Sequence, residues 1–222
     1  MSRIRQAIAG RVGIQGRLGI KLMGHREYIG GPGEMWERIG QLQFDLLLSR
    51  GMEPSHHLLD IACGSLRLGV KAISYLEPGH YHGVEKERSL IDAGIEEELG
   101  SALYEEKRPE LIVSDSFEFD RLSARPDYAM AQSLFSHLVP QDIDLCFRNL
   151  RPAMKPDSLF YATYFLAAAG GTSNPSRSHA LERFAYSVEE MLSFGARHGF
   201  TGNYIGDWNH PRGQVLVEYR LA

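Results

Sequence analysis

Cysteine is scarce in this chain, with only Cys63 and Cys146 among 222 residues. Two thiols so far apart offer neither a disulfide framework nor a cysteine-based zinc site, and they point to a reducing compartment. Long apolar runs are missing too. No stretch approaches the ~18 residues that span a bilayer. The N-terminal residues show no apolar core of a secretory signal, so the expectation is a cytoplasmic protein without a transmembrane segment. Internal repeats and low-complexity tracts are absent. Acid is absent from residues 1–26, which hold Arg3, Arg5, Arg11, Arg17, Lys21 and Arg26. The remainder sets 18 basic against 28 acidic residues, a net charge of −10, and the whole chain stands at −4. That balance does not suit a general nucleic-acid binder. The basic segment reads either as an arm for phosphate, a membrane surface or an acidic substrate, or as a solvated helix packing Ile4, Ile8 and Val12 on the body.

What is present reads as one globular domain, with 43% hydrophobic and 23% charged residues. The Gly30-Gly31-Pro32-Gly33 stretch resists regular structure. Residues 34–49 then place Trp36, Ile39, Leu42 and Leu46 at helical spacing. From residue 57 onward strands and helices alternate. Strands are expected at 57–62, 80–84, 110–114, 127–131 and 157–164, and helices at 65–76, 87–99 and 140–150. Ser187-Val188-Glu189-Glu190 is a capping box opening a helix to 198. Two final β-rich runs, 200–206 and 214–221, have no helix between them and must pair as an antiparallel hairpin. Alternation with short links predicts an α/β fold, a mostly parallel seven-stranded sheet with helices on both faces.

The segment Leu58-Leu59-Asp60-Ile61-Ala62-Cys63-Gly64-Ser65 ends a strand in a tight turn of small residues before a helix. Such a turn exposes backbone to a nucleotide-like ligand. Twenty-five residues beyond Asp60, Glu85 stands at the tip of the next strand, placed to accept hydrogen bonds from a ribose diol.

With Asp60 to Gly64, Glu85, Asp115-Ser116, the Ser133–Leu138 segment and the closing hairpin, residues 34–222 resemble the class I, Rossmann-like methyltransferases that use S-adenosylmethionine (SAM). The resemblance implies a SAM site at the carboxyl edge of the sheet, with S-adenosylhomocysteine (SAH) as product. Asp60, Ala62, Cys63 and Gly64 match the turn that lies against the methionine part. Glu85 matches the ribose-binding acid, Asp115 and Ser116 the strand tip beside adenine, and Gln132 and Ser133 the tip beside the methyl donor. The family prefers glycine where this chain has Ala62 and Leu66. Ala62 is tolerated if its φ stays negative, and Leu66 must point into the helix packing. Residues 1–33 stand apart as a basic arm or lid.

Methyl transfer needs alignment and a deprotonated acceptor, and histidine suits the base role near neutral pH. His137, just after the fourth strand, is the first candidate, and a helix-entry histidine bonded to backbone is the alternative. His210 is the second, in the hairpin loop with Trp208 and Arg212, which serve as substrate contacts or as a tight turn covering the sheet edge. Tyr28, Tyr164 and Arg177 are further candidate substrate contacts. Arg177 belongs to a long 165–186 connection that reads as a lid or as a solvated loop, with His179, Arg183 and Tyr186 as other candidates for an acidic acceptor. His56 and His57, adjacent in sequence, point to opposite faces of a strand and cannot chelate together. No metal site is expected.

The expected activity is methylation of an oxygen or nitrogen on a small-molecule or sugar-like acceptor, in small-molecule biosynthesis, by a possible homodimer without nucleic-acid partners. Alternatives are a non-catalytic binding protein of the same fold, favoured by Ala62 and Leu66, and a methyltransferase docking on nucleic acid or membrane through residues 1–26. A dinucleotide-dependent dehydrogenase is disfavoured, because Gly64 and Gly69 do not form Gly-x-Gly-x-x-Gly.

Overall fold

The computed structural model describes residues 16–30, 33–168 and 173–222. The expected packing of Ile4, Ile8 and Val12 lies outside the described residues, as do Arg3, Arg5, Arg11 and Gly170-Gly171.

Eight strands are described: β1 Leu58–Ile61, β2 Tyr81–Glu85, β3 Glu110–Val113, β4 Tyr128–Ala131, β5 Leu159–Leu166, β6 Ala185–Tyr186, β7 Phe200–Asp207 and β8 Val215–Leu221. Their order is β3-β2-β1-β4-β5-β8-β7, with β6 pairing β5. β1 to β5 run parallel, and β8 lies antiparallel between β5 and β7. The sheet therefore holds the seven expected strands plus the two-residue β6. β7, antiparallel to β8, runs with β1, so the 208–214 turn falls at the carboxyl edge.

The central strands explain the fold's stability. Every residue of β1, β2 and β4 is buried, as expected for parallel strands covered on both faces. On one face Leu59, Ile61, Ala129, Phe160 and Tyr219 pack with Phe147 and Met191 from helices over 140–153 and 188–196. On the other, Leu58, Tyr81, Met130 and Tyr161 pack with Leu47, Ala72 and Ile73.

Among the described residues the α-helices are α1 Gly16–Met23, α2 His25–Tyr28, α3 Glu34–Ser49, α4 Gly69–Tyr75, α5 Arg88–Ala93, α6 Ser101–Lys107, α7 Pro140–Ala153 and α8 Val188–Ala196. The capping box at Ser187 and Glu190 is formed. Three differences from the sequence reading have physical causes. α4 starts at Gly69 instead of 65, because Leu66 adopts φ 62° and interrupts the helical path. The expected 87–99 helix turns π-helical over Gly94–Leu99. There Gly94 abuts the motif turn so closely that a Cβ would lie 2.8 Å from the Ser65 carbonyl carbon. α6 was not evident from periodicity, since none of its residues is buried.

Candidate active site

The chain leaves β1 at Ile61 and turns through Ala62-Cys63-Gly64-Ser65-Leu66. Ala62, Gly64 and Leu66 have φ of 59°, 57° and 62°. Left-handed backbone is free for glycine and strained for the other two. Ala62 thus occupies a glycine conformation, against the expectation of negative φ. Leu66 is fully buried in the core with Leu68, Ala72 and Ile73 and takes no part in lining the cavity described next.

Over this turn, at the carboxyl edge, opens a cavity of about 550 Å³. Asp60, Ala62, Cys63, Gly64, Glu85, Asp115, Gln132, Ser133, Tyr28, His137 and Arg212 all line it. Residues drawn from four strand tips, the N-terminal segment and the hairpin turn are thereby brought to one place. Ser116 is not on the cavity wall. Its N–H donates to Ser114 Oγ and its carbonyl accepts from Asn149, which turns it outward.

Glu85 ties two turns together. Its Oε2 accepts the Gly64 N–H at 3.1 Å and its Oε1 accepts the Glu87 N–H at 3.0 Å. A carboxylate offers about four acceptor positions, more than these two bonds use, and Glu85 is on the cavity wall. Burial raises the Glu85 pKa, and the Glu87 and Gly64 N–H groups oppose that rise. Asp60 accepts from Tyr81 Oη at 2.7 Å, and burial lifts its pKa to about 7. Burial also raises the Cys63 thiol, which stays protonated and apolar in character.

The β4 tip is braced by a polar network. Ser133 has φ 60° and its N–H donates to Thr163 Oγ1 at 2.8 Å. Thr163 Oγ1 donates to Gln214 Oε1, and Gln214 Nε2 donates to Ser133 Oγ. Gln132 accepts from Arg67 and meets His210 Nε2 at 3.1 Å. His210 is buried within this network, stacks on Trp208, and accepts the Arg212 N–H at Nδ1. Neither His210 nor Trp208 lines the cavity. Trp208 packs in the core and donates from Nε1 to the Gln214 carbonyl. Burial, with Arg67 and Arg212 nearby, holds His210 down to a pKa of about 4.

His137 differs. It lines the cavity, and its Nδ1 lies 2.7 Å from the Glu182 carbonyl. A carbonyl only accepts, so the proton sits on Nδ1 and the lone pair on Nε2. Burial lowers its pKa, the Glu182 bond notwithstanding, so the ring is neutral at neutral pH.

Tyr164, a candidate substrate contact, does not reach the cavity. β5 runs on to Leu166, and Tyr164 points into the core, fully buried. Arg177 is exposed and off the cavity wall, whereas its neighbours Ser178 and His179 are on it. Arg183 lies over the Phe165 ring and Tyr186 is buried with its hydroxyl on the Leu138 carbonyl, so neither reaches the cavity. Among the described residues, no group of three or more His, Cys, Asp or Glu side chains is arranged for a metal ion.

The N-terminal segment closes one wall. Tyr28 Oη accepts the Gly16 N–H, Arg212 Nη1 donates to the Gly30 carbonyl at 3.2 Å, and His25 Nδ1 meets Ser65 Oγ at 2.9 Å. Arg26 pairs with Glu98 and lies 4.3 Å over Trp36, so this basic residue is used internally. Trp36 is buried in that packing and does not reach the cavity.

Sequence reasoning missed Arg67, Gln43 and Phe117, all on the cavity wall. A signal existed for Gln43, a polar residue on the otherwise apolar face of α3 with Trp36, Ile39 and Leu47.

No protein-family model matches the chain. Several solved structures resemble it. A magnesium protoporphyrin IX methyltransferase from Synechocystis PCC 6803 with bound SAM aligns at TM-score 0.63 and 12% identity, covering 98% of this chain and 97% of that one. The glycopeptide N-methyltransferase MtfA in complex with SAH aligns at TM-score 0.64 and 15% identity, covering 82% and 90%. A protein from Pyrococcus horikoshii OT3 aligns at TM-score 0.65 and 16% identity, covering 94% and 100%. The chain has the fold of the class I, Rossmann-like methyltransferases.

Proposed function

We propose that this protein is a SAM-dependent methyltransferase acting on an oxygen or nitrogen of a small-molecule acceptor. The observation that carries the reading is Glu85. Its side chain is buried at the tip of β2, accepts two backbone N–H groups from flanking turns, and lines the cavity with acceptor capacity that those two bonds do not exhaust. A ribose diol has two hydroxyl donors to place there. The cavity, about 550 Å³, suits a ligand of that size. Asp115 and Phe117 would border the adenine end, and Asp60 and Gly64 the amino-acid end. SAM would supply a methyl group on a sulfonium centre. For the chain's own part, Gln132 and Ser133 hold the β4 tip rigid, and His137 Nε2 takes the proton that an acceptor O–H or N–H loses. Burial keeps that imidazole neutral and able to accept. Residues 16–30 and the segment carrying Ser178 and His179 shield the cavity from water.

Calorimetric titration of the purified protein with SAH tests this reading, beside Glu85→Ala. Micromolar binding by the wild type and a loss of at least tenfold in the variant are expected. Absence of binding by the wild type would overturn it.

A further inference from the structure

Two buried polar side chains on the cavity wall, Arg67 and Gln43, each keep a polar atom unpartnered among the described residues. Arg67 is 7% exposed, and its Nε has no hydrogen-bond partner among the described residues. One terminal nitrogen donates to Gln132, and no carboxylate lies within 4.0 Å of the guanidinium among those residues. Gln43 is 2% exposed, and its Oε1 is also unpartnered. Both residues line the same cavity as Asp60.

Their closeness follows from the packing of α3. Gly40 meets Arg67 so tightly that a Cβ would lie 2.7 Å from the Arg67 carbonyl oxygen and 3.3 Å from its Cγ. Gln43 lies one turn further along the same buried face. A buried cation with an unused N–H, a buried unused carbonyl oxygen and an aspartate therefore line one cavity beside the motif turn. Leaving such groups unpaired away from water is costly, and a ligand that pairs them removes that cost. The complement of this set is a zwitterion, with an anionic group for Arg67 and an ammonium for Gln43 and Asp60.

Building on the proposed cofactor, we propose that Arg67 and Gln43 form a subsite for the α-amino carboxylate of its amino-acid half. Arg67 takes the carboxylate through its Nε–H, while Gln43 Oε1 and Asp60 take the ammonium. α3, which lies outside the sheet, then belongs to the cofactor site, and the protein selects cofactor by its amino-acid end as well as by its nucleoside.

The test is a calorimetric comparison of SAH, its decarboxylated analogue and 5′-methylthioadenosine on the full-length protein. Wild type is expected to bind SAH at least tenfold more tightly than the decarboxylated analogue. Arg67→Met is expected to weaken SAH about 10- to 100-fold, the range for a lost charged hydrogen bond. It should leave methylthioadenosine within about threefold. Gln43→Leu should weaken SAH less and also spare methylthioadenosine. Should Arg67→Met fail to fold, the wild-type comparison of SAH with its decarboxylated analogue decides alone. Equal affinity for those two ligands, or equal weakening of SAH and methylthioadenosine in the variant, overturns the subsite while leaving the cofactor reading intact. Failure of wild type to bind any of the three overturns the cofactor reading itself.

Discussion

Ala62 and Leu66 share one backbone conformation and should respond to glycine with opposite signs. Their φ angles are 59° and 62°. An L-residue in this region carries about 1–2 kcal/mol of steric cost. Glycine removes that cost but frees the unfolded chain, which returns about 0.4–1 kcal/mol. At Ala62, where little side chain is lost, Ala62→Gly should stabilise by about 0.5–1 kcal/mol, a rise of about 1–4 °C in Tm for a chain of this size. Leu66 is fully buried among Leu68, Ala72 and Ile73. Deleting such a side chain costs about 2–5 kcal/mol, more than the strain released. Leu66→Gly should therefore destabilise by about 2–4 kcal/mol and lower Tm by about 5–15 °C. Thermal unfolding followed by circular dichroism or calorimetry measures both. A lower Tm for Ala62→Gly would refute the strain argument, and a higher one for Leu66→Gly would refute the claim that burial outweighs strain there.

Two further outcomes are expected besides the titrations described above. His57 is held down to a pKa of about 4 by burial, by the neighbouring His80 and His82, and by Lys155, with Asp127 opposing. Its folded-state pKa lies below the ordinary 6.5, so its contribution to stability is whole above pH 6.5 and is lost as pH falls toward 4. Asp60, raised to about 7, acts in the opposite direction over the same range, so the comparison must be between proteins. The Tm difference between wild type and His57→Gln should shrink from pH 7.5 to pH 4.5, and a constant difference would count against the cluster's influence. With an acceptor in hand, His137→Ala should lower kcat about 10²- to 10⁴-fold, the usual worth of a general base, while SAH affinity stays within about threefold. Full turnover in that variant would remove His137 from the proton transfer.

Much of the fold was legible because it rests on local pattern. Apolar runs alternating with helical segments marked the strands to within a few residues, the capping box at Ser187 marked α8, and the missing helix before β8 required an antiparallel pair. Turn chemistry placed Asp60, Gly64 and Glu85 at strand tips, since a parallel sheet presents those tips along one edge whatever its side chains. Which side chains face the cavity was decided elsewhere. Tyr164 points to the core because β5 runs two residues beyond the expected end, and His210 is buried because Gln132, Gln214 and Trp208 surround it. Local sequence holds no record of such distant partners. Arg67 and Gln43 stand 24 positions apart, and only the close approach of Gly40 to the Arg67 backbone brings them to one wall. The sequence by itself determined the order of elements and the edge where a ligand binds, because periodicity and turn residues act within a few positions. Tertiary structure decided the sign of φ at Ala62, the burial of Leu66 and the company of Arg67, because each depends on packing between segments far apart in the chain.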